Sequence, residues 1–105
     1  MTTQPEARIT KKIREYLESA GAFVFKIHGS AAMMAGLPDL IACYKGCFLG
    51  VEVKQPGNKP TKRQIYVHSL IAAAGGVVIT ATSVDDVSSV IEGRPDPLKR
   101  LRWGP

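Results

Sequence analysis

The chain has 105 residues, which is enough for one domain with a single modest hydrophobic core. Its hydrophobic fraction of 45% and charged fraction of 22% are ordinary for a globular protein, and no apolar run approaches the roughly 20 residues of a membrane-spanning helix. No secretory signal opens the sequence, so we expect a cytoplasmic protein. The net charge of +5 weakly favours a polyanionic partner.

The first predicted element is a helix that ends at Gly21. Thr3 is the predicted N-cap, with Pro5 in the first turn and Glu6 at the third helical position, where its carboxylate completes a capping box. Apolar residues then recur at helical spacing, namely Ile9, Ile13, Tyr16, Leu17 and Ala20. Residues 23–27 are aromatic or β-branched apart from one lysine, which predicts a strand.

A loop of small residues, 28–36, leads from this strand to the next. It includes Gly29, Ser30 and Gly36. Such a loop beside a site either holds substrate or only connects two strands. Both alternatives remain open, and Ser30 is a candidate contact to nucleic acid.

A β-hairpin is predicted next, with strands over residues 39–44 and 47–54 joined by Lys45-Gly46. This two-residue loop makes Asp39 face Glu52, and Lys54 leaves its strand on the same face as Glu52. Facing residues have Cβ atoms roughly 4.5–5.5 Å apart, so two facing carboxylates repel each other. A divalent cation would remove that repulsion, and carboxylate and carbonyl oxygens suit Mg²⁺.

Two cysteines flank the predicted turn. In this register Cys43 and Cys47 point to opposite faces, which disfavours a disulfide, and we expect both to be small buried residues. A zinc site made from them with His28 and His68 lacks the spacing of zinc motifs. Both strands carry apolar residues on both faces, which predicts a sheet that is covered on both sides.

The rest of the chain predicts a helix, a strand and a helix. Thr61 to Gln64 has the capping-box pattern of a helix that runs to about Ala74. A strand over 77–81 would lie parallel to the preceding one through a right-handed crossover. Ser83 is the predicted cap of a short helix that ends near Gly93. The fold class is therefore α/β, a mixed four-stranded sheet with flanking helices, followed by a basic C-terminal tail, 94–105. Trp103 in that tail could stack on a base, anchor the core or contact a second subunit.

An ordered set of polar residues resembles a known superfamily. An acid early in the first helix (Glu6), Gly36-x-Pro38-Asp39, Glu52-x-Lys54 and Gln64 together resemble the PD-(D/E)xK nucleases. More narrowly they resemble a stand-alone VRR-NUC domain of the phage type, which is related in fold to archaeal Holliday-junction resolvases. The resemblance extends from about Glu6 to Asp86. It implies a restriction-endonuclease-like α-β-β-β-α-β core and a single nuclease domain over residues 1–93.

The resemblance also implies an activity and a set of site residues. The activity is metal-dependent endonuclease cleavage of DNA, with branched DNA such as a Holliday junction as the expected substrate. The metal ligands fall on Asp39, Glu52 and the backbone carbonyl of Val53, with Mg²⁺ as the ion and Mn²⁺ as a substitute. Lys54 falls on the catalytic lysine. Glu6, holding the metal through a water, and Gln64 complete the site.

Each of these residues also has a purely structural interpretation. Glu6 and Gln64 could be capping-box partners, and Lys54 could be a strand-end lysine paired with Glu52. Three basic residues just after the catalytic strand are candidates for phosphate contacts or for a solvated surface, namely Lys59, Lys62 and Arg63.

We expect DNA as the partner, a homodimer by resemblance, and neither a membrane nor a small-molecule cofactor. The alternative function is a non-catalytic nucleic-acid-binding protein that keeps the nuclease fold. The intact set of acids and lysine argues against this alternative, because buried acids without a use are costly to keep.

Overall fold

The computed structural model of the protein describes residues 5–29 and 33–93. It contains, in chain order, α1 (Glu6–Ser19), β1 (Phe23–Lys26), β2 (Leu40–Tyr44), β3 (Cys47–Val53), α2 (Lys62–Ala73), β4 (Val77–Ala81) and α3 (Val84–Glu92). The predicted α/β fold class and the predicted order of elements are confirmed. Ser30, Thr3 and the predicted tail 94–105, including Trp103, lie outside the described residues.

The four strands form one mixed sheet in the order β1-β2-β3-β4. β1 and β3 both run antiparallel to β2, whereas β4 runs parallel to β3, as the crossover through α2 requires. The predicted hairpin register is confirmed, since Tyr44 pairs with Cys47 and Leu40 with Val51. Lys45 and Gly46 have φ of 49° and 79°, the two left-handed residues of a type I′ turn.

One face of the sheet carries the core and is covered by α1 and α3. Its largest fully buried side chains include Ile13, Leu17, Leu40, Val51 and Val87. The two helices are tied together at the surface, where the Tyr16 hydroxyl donates to Glu92 Oε2 at 2.7 Å. None of the helices in residues 5–29 and 33–93 is long and apolar enough to span a bilayer.

The opposite face is covered by α2 on the β4 side and by Pro38 over Gly50, and it is open over β1 and over the ends of β2 and β3 nearest their connecting turn. Phe23, Phe25 and Phe48 are 69%, 43% and 45% exposed. Cys43 is exposed and Cys47 partly exposed, and both are free thiols. Both faces of the sheet therefore carry helices, as expected, but the second face is covered only in part, and the expectation of two buried cysteines is wrong. Apolar alternation shows that a face avoids water, but not which element covers it.

The start of α1 also differs from the prediction. Pro5 is the N-cap residue and Glu6 the first helical residue, so Glu6 does not complete a capping box. The Pro5 carbonyl accepts from the amides of Arg8 and Ile9 at 3.0 and 3.2 Å. Proline suits this position because it has no amide hydrogen to leave unpaired at a helix start.

Candidate active site

The turn before β2 is built to fix Asp39. Gly36 has a φ of 91°, and a Cβ there would lie 2.8 Å from Val67 Cγ2 and 2.9 Å from the Arg63 carbonyl oxygen. The Arg63 Nε–H donates to the Ala35 carbonyl at 3.1 Å, which ties the same turn to α2. Only glycine fits where this turn meets α2, so the Gly of the Gly-x-Pro-Asp motif is a packing requirement.

The proline of the motif locks the turn onto the sheet. Pro38 is fully buried and covers Gly50 of β3, where a Cβ would lie 2.7 Å from Pro38 Cγ. Asp39 then joins three strands, because its carbonyl accepts from the Ile27 amide at 2.8 Å and its Oδ2 accepts from the Val53 amide at 2.7 Å. The Asp39 carboxylate is therefore held at the C-terminal end of β3.

Glu52 is a buried carboxylate beside Asp39, with 1% of its surface exposed. Gln64 Nε2 donates to Glu52 Oε2 at 3.2 Å, and Lys54 Nζ lies 3.9 Å from the same oxygen. Oε1 has no hydrogen-bond partner among the described residues and lies 3.4 Å from His68 Nε2. The structure thus brings together Asp39, Glu52, Lys54 and Gln64, four residues singled out in the sequence.

Negative charge exceeds positive charge around Glu52. Burial, then the charge of Asp39 and hydrogen bonding with it, raise the pKa of Glu52 to about 8, and the charge of Glu6 acts in the same direction. Lys54 opposes this rise without cancelling it. Lys54 therefore supplies too little positive charge to offset the burial of Glu52 and its repulsion by Asp39. The oxygen atoms of Asp39 and Glu52 are therefore suited to a hard divalent cation such as Mg²⁺ or Mn²⁺.

Gln64 performs two tasks at once. Its backbone amide donates to Thr61 Oγ1 at 3.1 Å, and its side-chain Oε1 accepts from the Thr61 amide at 2.8 Å, which completes the predicted capping box. The same side-chain amide donates from Nε2 to Glu52. Gln64 can therefore be both a capping residue and a site residue, because its side-chain oxygen takes part in the cap and its side-chain nitrogen contacts Glu52.

His68 is a site residue that sequence reasoning did not place there. It lies on α2 four residues after Gln64, which puts both on one face of the helix. Burial lowers the pKa of its imidazole, so the neutral ring is favoured. The sequence offered only its helical spacing as a signal. In the described part of the chain, no three His, Cys, Asp or Glu side chains are grouped to hold a metal, and His28 is exposed.

The remaining candidates lie at the edge of the site. Glu6, at the first turn of α1, is exposed and contributes its charge to the environment of Glu52. Lys59, Lys62 and Arg63 are exposed. The Arg63 guanidinium lies 5.4 Å from the centre of the Tyr66 ring in addition to its bond to the turn, so it is held in place.

Comparison with known proteins relates most of the chain to one family. The chain matches the family model described as archaeal Holliday junction resolvase (Hjc) over residues 6–81, which spans α1 to β4. It is 33% identical over 87 residues to "Putative nuclease p44" of Acyrthosiphon pisum secondary endosymbiont phage 1, and the match covers 82% of this chain and 90% of that protein.

Solved structures give the same relationship. A structure named "VRR_NUC domain" superposes with a TM-score of 0.73 at 29% identity and covers 86% of this chain and 97% of its own. A second, named "VRR_NUC domain protein", has a TM-score of 0.68 at 22% identity and covers 87% and 88%. The second similarity concerns the fold alone, whereas the first extends to the sequence.

Proposed function

Because this chain belongs to the archaeal Holliday junction resolvase family and has the fold of VRR-NUC nuclease domains, we propose that it is a metal-dependent endonuclease that hydrolyses phosphodiester bonds in DNA. The family relationship confirms the resemblance found in the sequence. The observation that carries the proposed activity is a buried Glu52 beside Asp39, with Lys54 Nζ 3.9 Å from its Oε2. Selectivity for branched DNA, including four-way junctions, is part of the proposal.

We assign the cation site to Asp39, Glu52 and the backbone carbonyl of Val53, with Mg²⁺ as the ion, Mn²⁺ as a substitute and Glu6 acting through a water. Two features fit a cation, namely the neighbouring carboxylates of Asp39 and Glu52, whose charges repel each other, and the pKa of about 8 of the Glu52 carboxyl. A divalent cation bound there supplies neutralisation of the phosphate charge and acidity of a bound water.

The chain's own residues have separate roles in the proposed reaction. The oxygen of a water forms a bond to phosphorus, the bond from phosphorus to the leaving oxygen breaks, and a water proton ends on that leaving oxygen. The side chain of Lys54 is 15% exposed and its Nζ lies beside the buried Glu52, so its ammonium can stabilise charge that develops on the phosphate or orient the water. Gln64 Nε2, held by Glu52, has a second hydrogen for the water or the scissile phosphate.

The proposed DNA contacts surround this site. Lys59 and Lys62 are exposed and reach phosphates as point charges, whereas Arg63 is held at the turn beside Asp39. Ser30, in the loop that precedes this turn, completes the proposed set. Phosphate contacts carry no base information, which agrees with recognition of DNA shape instead of sequence.

The proposed nuclease is a homodimer, and the open side of the sheet supports this. Phe23, Cys43 and Phe48 lie directly across from one another on β1, β2 and β3, and Phe25 packs beside Phe23 with ring centres 6.0 Å apart. We name these four residues the aromatic face. From their exposed fractions, its three phenylalanines present about 300 Å² of ring surface, taking roughly 200 Å² for each whole side chain. That is a substantial part of the roughly 800 Å² that each partner contributes to a stable interface.

Cys43 makes the dimer testable without a structure, because it lies in the middle of the aromatic face. A short bismaleimide should join two chains through Cys43 in a Cys47→Ser variant, and not through Cys47 in a Cys43→Ser variant. Light scattering after size-exclusion chromatography should give twice the mass of 11.3 kDa, and Phe23→Glu should return the single-chain mass. A single-chain mass for the unmodified protein would reject the dimer.

The test of the activity is cleavage of a labelled four-way junction, a 5′-flap and a linear duplex of shared sequence, with Mg²⁺ or EDTA. Lys54→Ala should abolish cleavage and leave DNA affinity largely intact, whereas Lys11→Ala, an exposed lysine of α1, should cleave normally. Paired symmetric cuts in the junction would establish a resolving enzyme. Equal cleavage of all three substrates would reject the selectivity and keep the nuclease. Normal turnover by Lys54→Ala, or tight binding with no cleavage, would reject the mechanism, and the latter would favour a non-catalytic DNA-binding protein.

A further inference from the structure

A single helix places one side chain against each oxygen of the buried Glu52 carboxylate. Gln64 Nε2 donates to Oε2 at 3.2 Å. One turn further along α2, His68 Nε2 lies 3.4 Å from Oε1. His68 Nε2 and Glu52 Oε1 are both inaccessible to solvent, and neither has a hydrogen-bond partner among the described residues. The side chain of His68 is 13% exposed and that of Glu52 is 2% exposed.

This arrangement is more specific than a histidine that only fills space. A buried nitrogen and a buried oxygen that face each other unpaired each incur a desolvation penalty, which a direct hydrogen bond removes. The neutral imidazole carries one N–H, and in the Nε2–H form that hydrogen is on the nitrogen nearest to Glu52 Oε1, which as part of an ionised carboxylate accepts it. A small rotation of the ring or of the carboxylate, with a shift of a few tenths of an ångström, gives the pair ordinary hydrogen-bond geometry.

We propose that His68 is a positioning residue of the active site, whose Nε2–H holds Glu52 Oε1 while Gln64 holds Oε2. The inference rests on the proposed function, because it gives Glu52 the role of a cation ligand. A carboxylate held by a donor at each oxygen cannot rotate, so its orientation is set before a cation arrives. Removal of an outer hydrogen bond of this kind to a metal ligand commonly lowers metal affinity by 10–100-fold.

Two substitutions separate the donor from the space that the ring fills. His68→Leu removes the donor and keeps most of the volume, whereas His68→Gln can place an amide N–H near the position of Nε2. His28→Gln, at an exposed histidine, is the matched control. Mn²⁺ affinity of the full chain without DNA, measured by calorimetry, should fall about 10–100-fold in His68→Leu and be largely retained in His68→Gln and His28→Gln.

Thermal unfolding in EDTA distinguishes positioning from folding. His68→Leu leaves the buried Oε1 of Glu52 without its donor, so it should still unfold cooperatively but at a temperature about 4–8 °C lower, which keeps it folded where Mn²⁺ affinity is measured. Nitrogen NMR of the unmodified protein with saturating Mg²⁺, which keeps Glu52 ionised, provides a test that needs no variant, because it should show the Nε2–H form of His68.

Three outcomes would overturn this inference and leave the proposed function standing. They are Mn²⁺ affinity that is indifferent to His68→Leu, equal loss of affinity in His68→Leu and His68→Gln, and an Nδ1–H form of His68. If the unmodified protein binds no Mn²⁺, the proposed function fails and this inference with it.

Discussion

Replacement of Glu52 by Gln is expected to stabilise the cation-free protein, and increasingly so as the pH rises. The folded chain keeps the proton of Glu52 up to a pKa of about 8, against an ordinary value of 4.5. Between these values the folded state binds more protons than the unfolded state, so the unfolding free energy falls as pH rises. Gln has nearly the same shape and never ionises, so it escapes this loss.

The size of the effect follows from the two pKa values. At 1.36 kcal/mol for each factor of ten in proton affinity, the raised pKa costs the folded state about 1 kcal/mol at pH 5, about 3 kcal/mol at pH 7 and about 4 kcal/mol at pH 8. At low pH Glu52 is protonated in both the folded and the unfolded state. Relative to that pH, the difference in unfolding free energy between Glu52→Gln and the unmodified protein should widen by those amounts. For a domain of this size this is a large share of the usual 5–15 kcal/mol of total stability.

Urea unfolding followed by circular dichroism in EDTA at pH 5, 6, 7 and 8 measures the gap. The control is Glu18→Gln, because Glu18 is half-exposed and its pair with Arg14, at 3.5 Å, contributes less than about 1 kcal/mol at any of these pH values. Mn²⁺ at a hundred times its dissociation constant stabilises only the protein that binds it, by about 2.7 kcal/mol, so it should narrow the gap by that amount, which exceeds the gap of about 1 kcal/mol at pH 5 and falls short of the gap of about 4 kcal/mol at pH 8. A gap that stays constant or narrows as pH rises would refute the burial of an ionisable Glu52.

Three further predictions concern the residues around the site and the core. Gly36→Ala should lower the unfolding free energy by about 2–5 kcal/mol and reduce cleavage, because the residue has a positive φ and its new Cβ would lie 2.8 Å from Val67. The control is Gly57→Ala, which has a φ of 92° and nothing within 4 Å of the new Cβ. It should lower the unfolding free energy only by the backbone cost of about 1–2 kcal/mol in the same assay. Thr61→Ala should cost about 1 kcal/mol by removing the N-cap of α2, and a destabilisation below the error of urea titration would contradict the capping box. Tyr16→Phe should cost about 1 kcal/mol by removing the 2.7 Å bond to Glu92. The pKa of Tyr16 rises from 10 to about 12 on folding, so that cost should be constant from pH 6 to 9 and should shrink from pH 10 as the unfolded state ionises, and a cost that stays constant to pH 11 would contradict the raised pKa.

Local rules were sufficient for the part of the site that lies on the hairpin. A two-residue turn has few allowed geometries, and once Lys45-Gly46 occupies it, the register of β2 against β3 follows. Because side chains alternate along a strand, the register then brings Asp39 and Glu52 together and leaves Lys54 on the same face. No long-range information enters that derivation.

Long-range packing decided the features that the sequence did not predict. Whether Cys43 is buried depends on which helix covers its face, and α2 packs on the β4 side instead. The position of His68 depends on how deeply α2 lies on the sheet, which a helical pattern does not specify. The start of α1 depended on a proline in extended conformation, with φ of −59° and ψ of 147°, which the capping pattern at Thr3 did not reveal.

The two acids of the site are held in different ways, and this determines how the site should respond to change. Asp39 is fixed by the main chain of the sheet, through the Val53 amide to its Oδ2 and the Ile27 amide to its carbonyl. Glu52 is fixed by side chains of α2, which supplies Gln64 and His68. A change that loosens α2, such as Thr61→Ala, therefore alters the orientation of Glu52 before that of Asp39. Mn²⁺ affinity should fall in such variants while the sheet is still folded, because the sheet ladder does not pass through α2.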